Sequence, residues 1–123
     1  MGAWAATQAL PRFAGRPVVS VSGDGGFGQY AMELTTAVKY GMDLTHVLMD
    51  NGELGKISKE QRDGSWKVWQ TSLQNPSFAE YAQLCGGLGI RVADPADLAA
   101  AFSAALEADG PALVEIMADP LLT

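Results

Sequence analysis

Val18-Val19-Ser20-Val21-Ser22-Gly23-Asp24-Gly25-Gly26 is the stretch whose reading decides the fold. It joins a short β-branched run to glycine-rich turn chemistry, the pattern of a buried strand that stops abruptly. A second run, Leu44-Thr45-His46-Val47-Leu48-Met49, ends at Asp50-Asn51-Gly52. Between them, Tyr30 to Tyr40 carries Met32, Leu34, Ala37 and Val38 at helical spacing. Gly41 then stands where a left-handed stop belongs. Strand, helix and strand make a βαβ unit with parallel strands. Each strand delivers one oxygen-bearing side chain, Asp24 or Asn51, to the same sheet edge, where such folds bind ligands.

The rest of the chain continues the alternation. Ala3 to Leu10 reads as a helix ended near Pro11. Gly52 to Leu73 is polar and reads as a short helical turn followed by an irregular loop; a loop this long is usually functional or mobile. Asn75-Pro76-Ser77 opens a helix through about Cys85. Gly89 to Val92 is a third strand. Asp94-Pro95 caps a helix from Ala96 to Ala108 with an inner stripe of Leu98, Phe102, Ala105 and Leu106. Gly110-Pro111 breaks it, and Ala112 to Met117 is a fourth strand. The expected fold is α/β, a parallel sheet with helices on both faces, in one domain spanning 1–123.

Composition sets the bounds. The 123 residues allow one domain with a real core, and 48% apolar content makes it globular. A net charge of −6 argues against a nucleic-acid partner and against an anionic membrane surface. No apolar run approaches the roughly 20 residues of a membrane span. The start, Met1-Gly2-Ala3-Trp4, lacks a basic n-region, so no signal peptide is expected. Cys85 is the only cysteine, which excludes an internal disulfide and fits a reducing compartment; the expected location is cytoplasmic.

The glycine turn carries the chemistry. Gly23, Gly25 and Gly26 remove side chains, so that the main chain can approach a bulky anion. The amides of a following helix favour the same anion. Asp24 would repel a phosphate unless a cation sits between them, and Mg²⁺, which takes oxygen ligands, is the natural candidate. Asn51 supplies a neutral oxygen, and the backbone carbonyl of Glu53 a third. Alone, a Gly-Asp-Gly-Gly run or an Asn-Gly pair is commonly a plain turn. Their pairing at consecutive parallel-strand ends lifts the signal.

At this point the residues resemble a known family. Gly23-Asp24-Gly25, then Asn51 twenty-seven residues beyond Asp24, is similar to the cofactor motif of thiamine-diphosphate-dependent enzymes. Ser22 to Phe27, Asn51-x-x-Leu54-Gly55, Asn75 to Ala79 and Gly87 to Val92 resemble the pyruvate oxidase and acetolactate synthase branch, with pyruvate oxidase nearest. The resemblance implies a thiamine-diphosphate-binding fold truncated at its N-terminus. It implies Asp24 and Asn51 as Mg²⁺ side-chain ligands, with the Glu53 carbonyl as a third. Gly23, Gly25 and Gly26 would meet the diphosphate. The segment Asn51, Gly52, Glu53, Leu54, Gly55, Lys56 and Ile57 would wrap the cofactor. Met1-Gly2 looks like the end of a family turn that also touches it.

Two departures stand out. Asp50 replaces the first Asn of the family pair and adds negative charge near a diphosphate, which weakens binding unless it points away or pairs with Lys56 or Lys59. Family enzymes are also several times longer. Their upstream domains supply an activating glutamate from a neighbouring subunit, so no catalytic residue is assigned in this chain. The resemblance implies the C-terminal domain of a larger homo-oligomeric enzyme, inactive in isolation. Its substrate would be a 2-keto acid, pyruvate, and FAD would belong to the full-length enzyme if the product is oxidised. One alternative is an acetolactate synthase large-subunit fragment. Another, of a different class, is a non-catalytic nucleotide- or ligand-binding module with a vestigial metal site. His46 reads as a satisfied core or edge residue, and Trp66 and Trp69 as surfaces for the missing domains.

Overall fold

β1 (Val19–Gly23), β2 (Thr45–Asp50), β3 (Leu88–Val92) and β4 (Ala112–Met117) form one sheet in the order β1-β2-β4-β3. Every neighbouring pair is parallel, as the strand–helix alternation requires. The computed structural model describes residues 1–121. Among the described residues, six α-helices accompany the sheet: α1 (Gly2–Ala9), α2 (Asp24–Gly28), α3 (Glu33–Lys39), α4 (Gly55–Asp63), α5 (Phe78–Leu84) and α6 (Leu98–Leu106).

The core lies on both faces of the two central strands. Alternation along β4 sends Leu113 to one face, where it joins Leu48, Phe27, Leu34, Phe78 and Ala82. Ala112 and Val114 face the other way and pack with Val92, Ala101 and Ala105. Helices on both faces explain why β4 reads as a continuous apolar run. Ser77 caps α5 by accepting from the Glu80 amide at 3.3 Å, and Asp94 accepts from the Ala96 amide at 2.9 Å. Gly41 has φ of +54°, the left-handed stop expected after α3.

Several expectations need correction. The Val18–Ser22 run is an edge strand, not a buried one: Val19 and Val21 are 50% and 68% exposed. Its β-branched residues reflect strand preference, and α6 lies over β3 and β4 rather than over β1. The glycine turn itself forms a short helix, α2, and the helix expected over Tyr30 to Tyr40 begins only at Glu33, as α3. After Gly52 the chain forms a nine-residue helix, α4, rather than a single turn. The irregular segment beyond it returns as an antiparallel bridge between Ser72 and Glu53. Asp94-Pro95 opens a 3-10 turn over Pro95–Asp97 before α6 begins, and the helix phase leaves Leu106 54% exposed. The inner face of α6 is therefore Ala101 and Ala105, with Leu98 beside them. Among the described residues, no helix is long and apolar enough to cross a membrane.

Candidate cofactor site

The sheet register builds the site. Gly23 pairs with Met49, so Asp24, the first residue beyond β1, lies beside Asp50, the last residue of β2. Both are buried, at 3% and 5% exposure. Asp24 Oδ1 accepts from the Gly25 amide at 2.9 Å. Its Oδ2 accepts from the Gly52 amide at 2.9 Å and from Asn75 Nδ2 at 2.6 Å. Asp50 Oδ1 shares both donors, at 3.1 Å from Gly52 N and 2.8 Å from Asn75 Nδ2. Asp50 neither points away nor pairs with a lysine: Lys59 binds Asp63 at 2.6 Å, and Lys56 is exposed. The register of β1 and β2 brings the two carboxylates together, and neutral donors rather than a lysine meet Asp50.

The loop after β2 folds back over the glycine turn. Gly52 takes φ of +65°, a left-handed conformation that suits glycine. Asn51 Oδ1 accepts from the Glu53 amide at 3.1 Å, closing an Asx turn. The bridge from Glu53 to Ser72 runs through Leu73 N to Gly52 O and Leu54 N to Thr71 O, both at 2.7 Å. Glu53 itself is thus the non-bonded member, and its carbonyl faces away from Ser72. Its side chain accepts from Thr71 Oγ1 at 3.3 Å and lies 3.9 Å from Arg62. Leu54 packs onto Gly25, where a Cβ would fall 2.8 Å from Leu54 Cδ2. Gly25 therefore serves loop closure as well as any ligand. At Gly26 a Cβ would meet only Ser22 Cβ, at 3.8 Å, so the turn is open there.

Two cavities flank the paired aspartates at the C-terminal sheet edge. One, of about 350 Å³, is lined by Asp24, Gly25, Gly28, Leu73 and Asn75. The other, of about 300 Å³, is lined by Asp50, Asn51, Gly52, Asn75 and Arg91. Asp24, Gly25, Gly52 and Leu54 thus meet, with Gly23 and Gly26 on the same turn; Asn51 lines the cavity on the Asp50 side and is bonded to Glu53. Gly55, buried, Lys56 and Ile57 lead away along α4. Met1 is not brought to this place. It lines a separate apolar cavity of about 220 Å³ with Val19, Phe27, Leu34 and His46. His46 is satisfied, as expected: Nδ1 lies 2.7 Å from Ser20 Oγ and Nε2 3.0 Å from Ser22 Oγ. Burial holds its imidazole below the ordinary histidine range.

Asn75 is the residue that sequence reasoning missed. Asn75-Pro76-Ser77 reads locally as a helix entry, and nothing in that triplet points to strand ends dozens of residues upstream. Among the described residues, no three His, Cys, Asp or Glu side chains group as metal ligands. A cation at Asp24 would therefore draw on amide and carbonyl oxygens.

Residues 1–116 match the family model described as thiamine pyrophosphate enzyme, C-terminal TPP binding domain. The chain belongs to this family. A Bacillus subtilis (strain 168) protein, YdaP, provisionally described as thiamine pyrophosphate-containing, is 40% identical over 94% of the chain and 20% of its own length. An acetolactate synthase of the same organism is 32% identical over the same shares. Among solved structures, the thiamine diphosphate-dependent 4-hydroxybenzoylformate decarboxylase of Rhodococcus jostii RHA1 superposes with a TM-score of 0.82 at 26% identity. That match covers 95% of this chain and 22% of the decarboxylase. The domain thus has the parallel α/β fold of such decarboxylases, and it spans about a fifth of the length of the relatives it matches.

Proposed function

We propose that this chain holds thiamine diphosphate through Mg²⁺, as the C-terminal domain of a 2-keto acid decarboxylating enzyme. The observation that carries the reading is Asp24, a buried carboxylate at a strand end beside a glycine turn and the folded-back 51–54 loop. A carboxylate, an amide oxygen and a main-chain carbonyl are the donors a hard cation takes. Asp24, Asn51 and Glu53 offer that set. Asn51 Oδ1 is held by a single turn bond, so a side-chain rotation frees it.

The Gly26 amide, in the first turn of α2, lacks an intrahelical acceptor and suits a diphosphate, while the Gly25 amide, held by Asp24 Oδ1, would have to turn to reach it. Gly23 and the open space at Gly26 let the backbone come close. Gly52 and Leu54 would form the wall on the loop side, and Gly55, Lys56 and Ile57 would complete it from the first turn of α4 only where the cofactor extends past Leu54. Met1, on its separate cavity, stays outside this anchoring set. When bound, thiamine diphosphate supplies the electron sink for decarboxylation. The chain's own residues anchor and orient; the activating group belongs to domains upstream, on a second subunit of a homo-oligomer.

The full enzyme would act on pyruvate in the manner of a pyruvate oxidase, with FAD, in the cytoplasm. The acetolactate synthase relative supports a second reading, in which the product joins another keto acid.

Calorimetric titration of the chain with thiamine diphosphate, with and without Mg²⁺, tests the anchoring. The expected heat needs the metal and disappears in Asp24→Ala. Metal-independent binding of adenine nucleotides would favour a nucleotide-binding module instead. The chain alone is expected not to decarboxylate pyruvate, and turnover by it would remove the need for upstream residues.

A further inference from the structure

We propose that Asn75 is the positioning residue of this site, tying the Asp24 and Asp50 carboxylates together and so setting how Asp24 faces a cation. The inference rests on the reading of Asp24 as a metal ligand.

Two buried carboxylates meet at the strand ends, and among the described residues no cationic side chain pairs with them, Arg91 on the cavity beside Asp50 included. Lys59 is taken by Asp63, and Arg62 lies 3.9 Å from Glu53. What offsets their repulsion is a pair of neutral donors, the Gly52 amide and the Asn75 side chain. The Asn75 NH₂ carries two hydrogens and spends one on each aspartate, at 2.6 and 2.8 Å. Its nitrogen must face this way, because an amide oxygen would repel both acceptors. A lysine could also bridge two carboxylates, but it would bring its own positive charge into the place of the metal. A neutral amide fixes the geometry and leaves the negative charge for a divalent ion.

The placement of Asn75 is itself braced. Pro76 restricts the backbone beside it, and Ser77 caps α5. Fully buried Glu115, on β4, accepts from the Phe78 and Ala79 amides at 3.2 and 3.0 Å. The start of α5 is thus pinned to the central strand, and Asn75 projects from that pinned point onto the two aspartates.

The test is the Mg²⁺ concentration that half-saturates thiamine diphosphate binding to the full chain, read by calorimetry. Asn75→Ala is expected to raise it at least tenfold. Asp50→Asn placed on Asn75→Ala is expected to restore most of the loss, because it removes the repulsion and gives Asp24 a new amide neighbour. The melting temperatures of the metal-free proteins should follow the same order, with the double variant above Asn75→Ala. If Asn75→Ala fails to fold, Asn75→Ser, which keeps one donor, replaces it with a smaller expected increase. An unchanged Mg²⁺ requirement in the Asn75 variant overturns the proposal. So does a loss that Asp50→Asn does not repair, since that marks a merely structural role. Wild-type binding that ignores Mg²⁺ would instead overturn the reading of Asp24 on which the proposal stands.

Discussion

Replacing Glu115 with alanine should unfold this domain far more easily than its single-residue size suggests. The side chain is fully buried on the central strand and accepts from two amides at the start of α5. Hydrogen bonds to a charged group contribute about 1.5–3 kcal/mol each, so two of them set a scale of roughly 3–6 kcal/mol. Removing the carboxylate also recovers its own desolvation cost, which pulls the figure toward the lower end. The two amides are then left in the interior without acceptors, and the truncation leaves a void, which push it back up. The net expectation is a loss of about 3–4 kcal/mol, a large share of the ~5–15 kcal/mol that holds a domain together. Glu115→Gln keeps one oxygen acceptor and most of the volume, so its cost should be about 1–2 kcal/mol. Urea unfolding followed by circular dichroism measures both. With a slope of about 2 kcal/mol per molar, the alanine variant should lose roughly 1.5–2 M of midpoint. A midpoint within about 0.5 M of wild type would show that Glu115 does not anchor α5.

Two further outcomes follow from the packing and the histidine. A Cβ on Gly89 would run into the Ala79 backbone, whereas one on Gly28 would meet open space. Gly89→Ala should therefore cost about 3 kcal/mol or more, and Gly28→Ala should change stability by less than about 1 kcal/mol, both by thermal unfolding. Equal melting temperatures for the two variants would contradict the α5–β3 contact. Burial holds His46 below its ordinary value, so the unfolded chain binds its proton first as pH falls. The stability this gives is complete above about pH 6.5 and is lost as pH drops below it. The melting temperature should fall from pH 7.5 to 5.5, and fall less in His46→Gln; identical drops would remove His46 as the cause.

The legible parts of the sequence were those where burial leaves a pattern. β4 runs Ala112–Met117 as its apolar run indicated, because it is covered on both faces. β2 is displaced by one residue, and the glycine stops and Asn-Pro-Ser cap mark real boundaries. α4 escaped because Lys56, Lys59, Glu60, Arg62 and Asp63 give a nearly all-polar helix with little apolar period to read. α2 escaped because Gly25, Gly26 and Gly28 have the composition of a turn.

Within the site, local chemistry singled out Asp24, Asn51 and the glycine turn; the structure ties Asp24 to the Gly52 amide, next to Asn51, while Asn51 Oδ1 is held by the Glu53 amide. The position of Asp50 was also available in principle: with Gly23 in register with Met49, Asp24 and Asp50 must lie side by side. Asn75 was beyond reach, since its partners lie 51 and 25 residues away and only the fold joins them.

Crystals of the chain grown with thiamine diphosphate and Mn²⁺ in place of Mg²⁺ would test the anchoring site most directly. The anomalous signal of the metal should fall within coordination distance of an Asp24 carboxylate oxygen, Asn51 Oδ1 and the Glu53 carbonyl, with the diphosphate on its open side. A metal seated elsewhere, or a diphosphate bound with no ion between it and Asp24, would contradict the account.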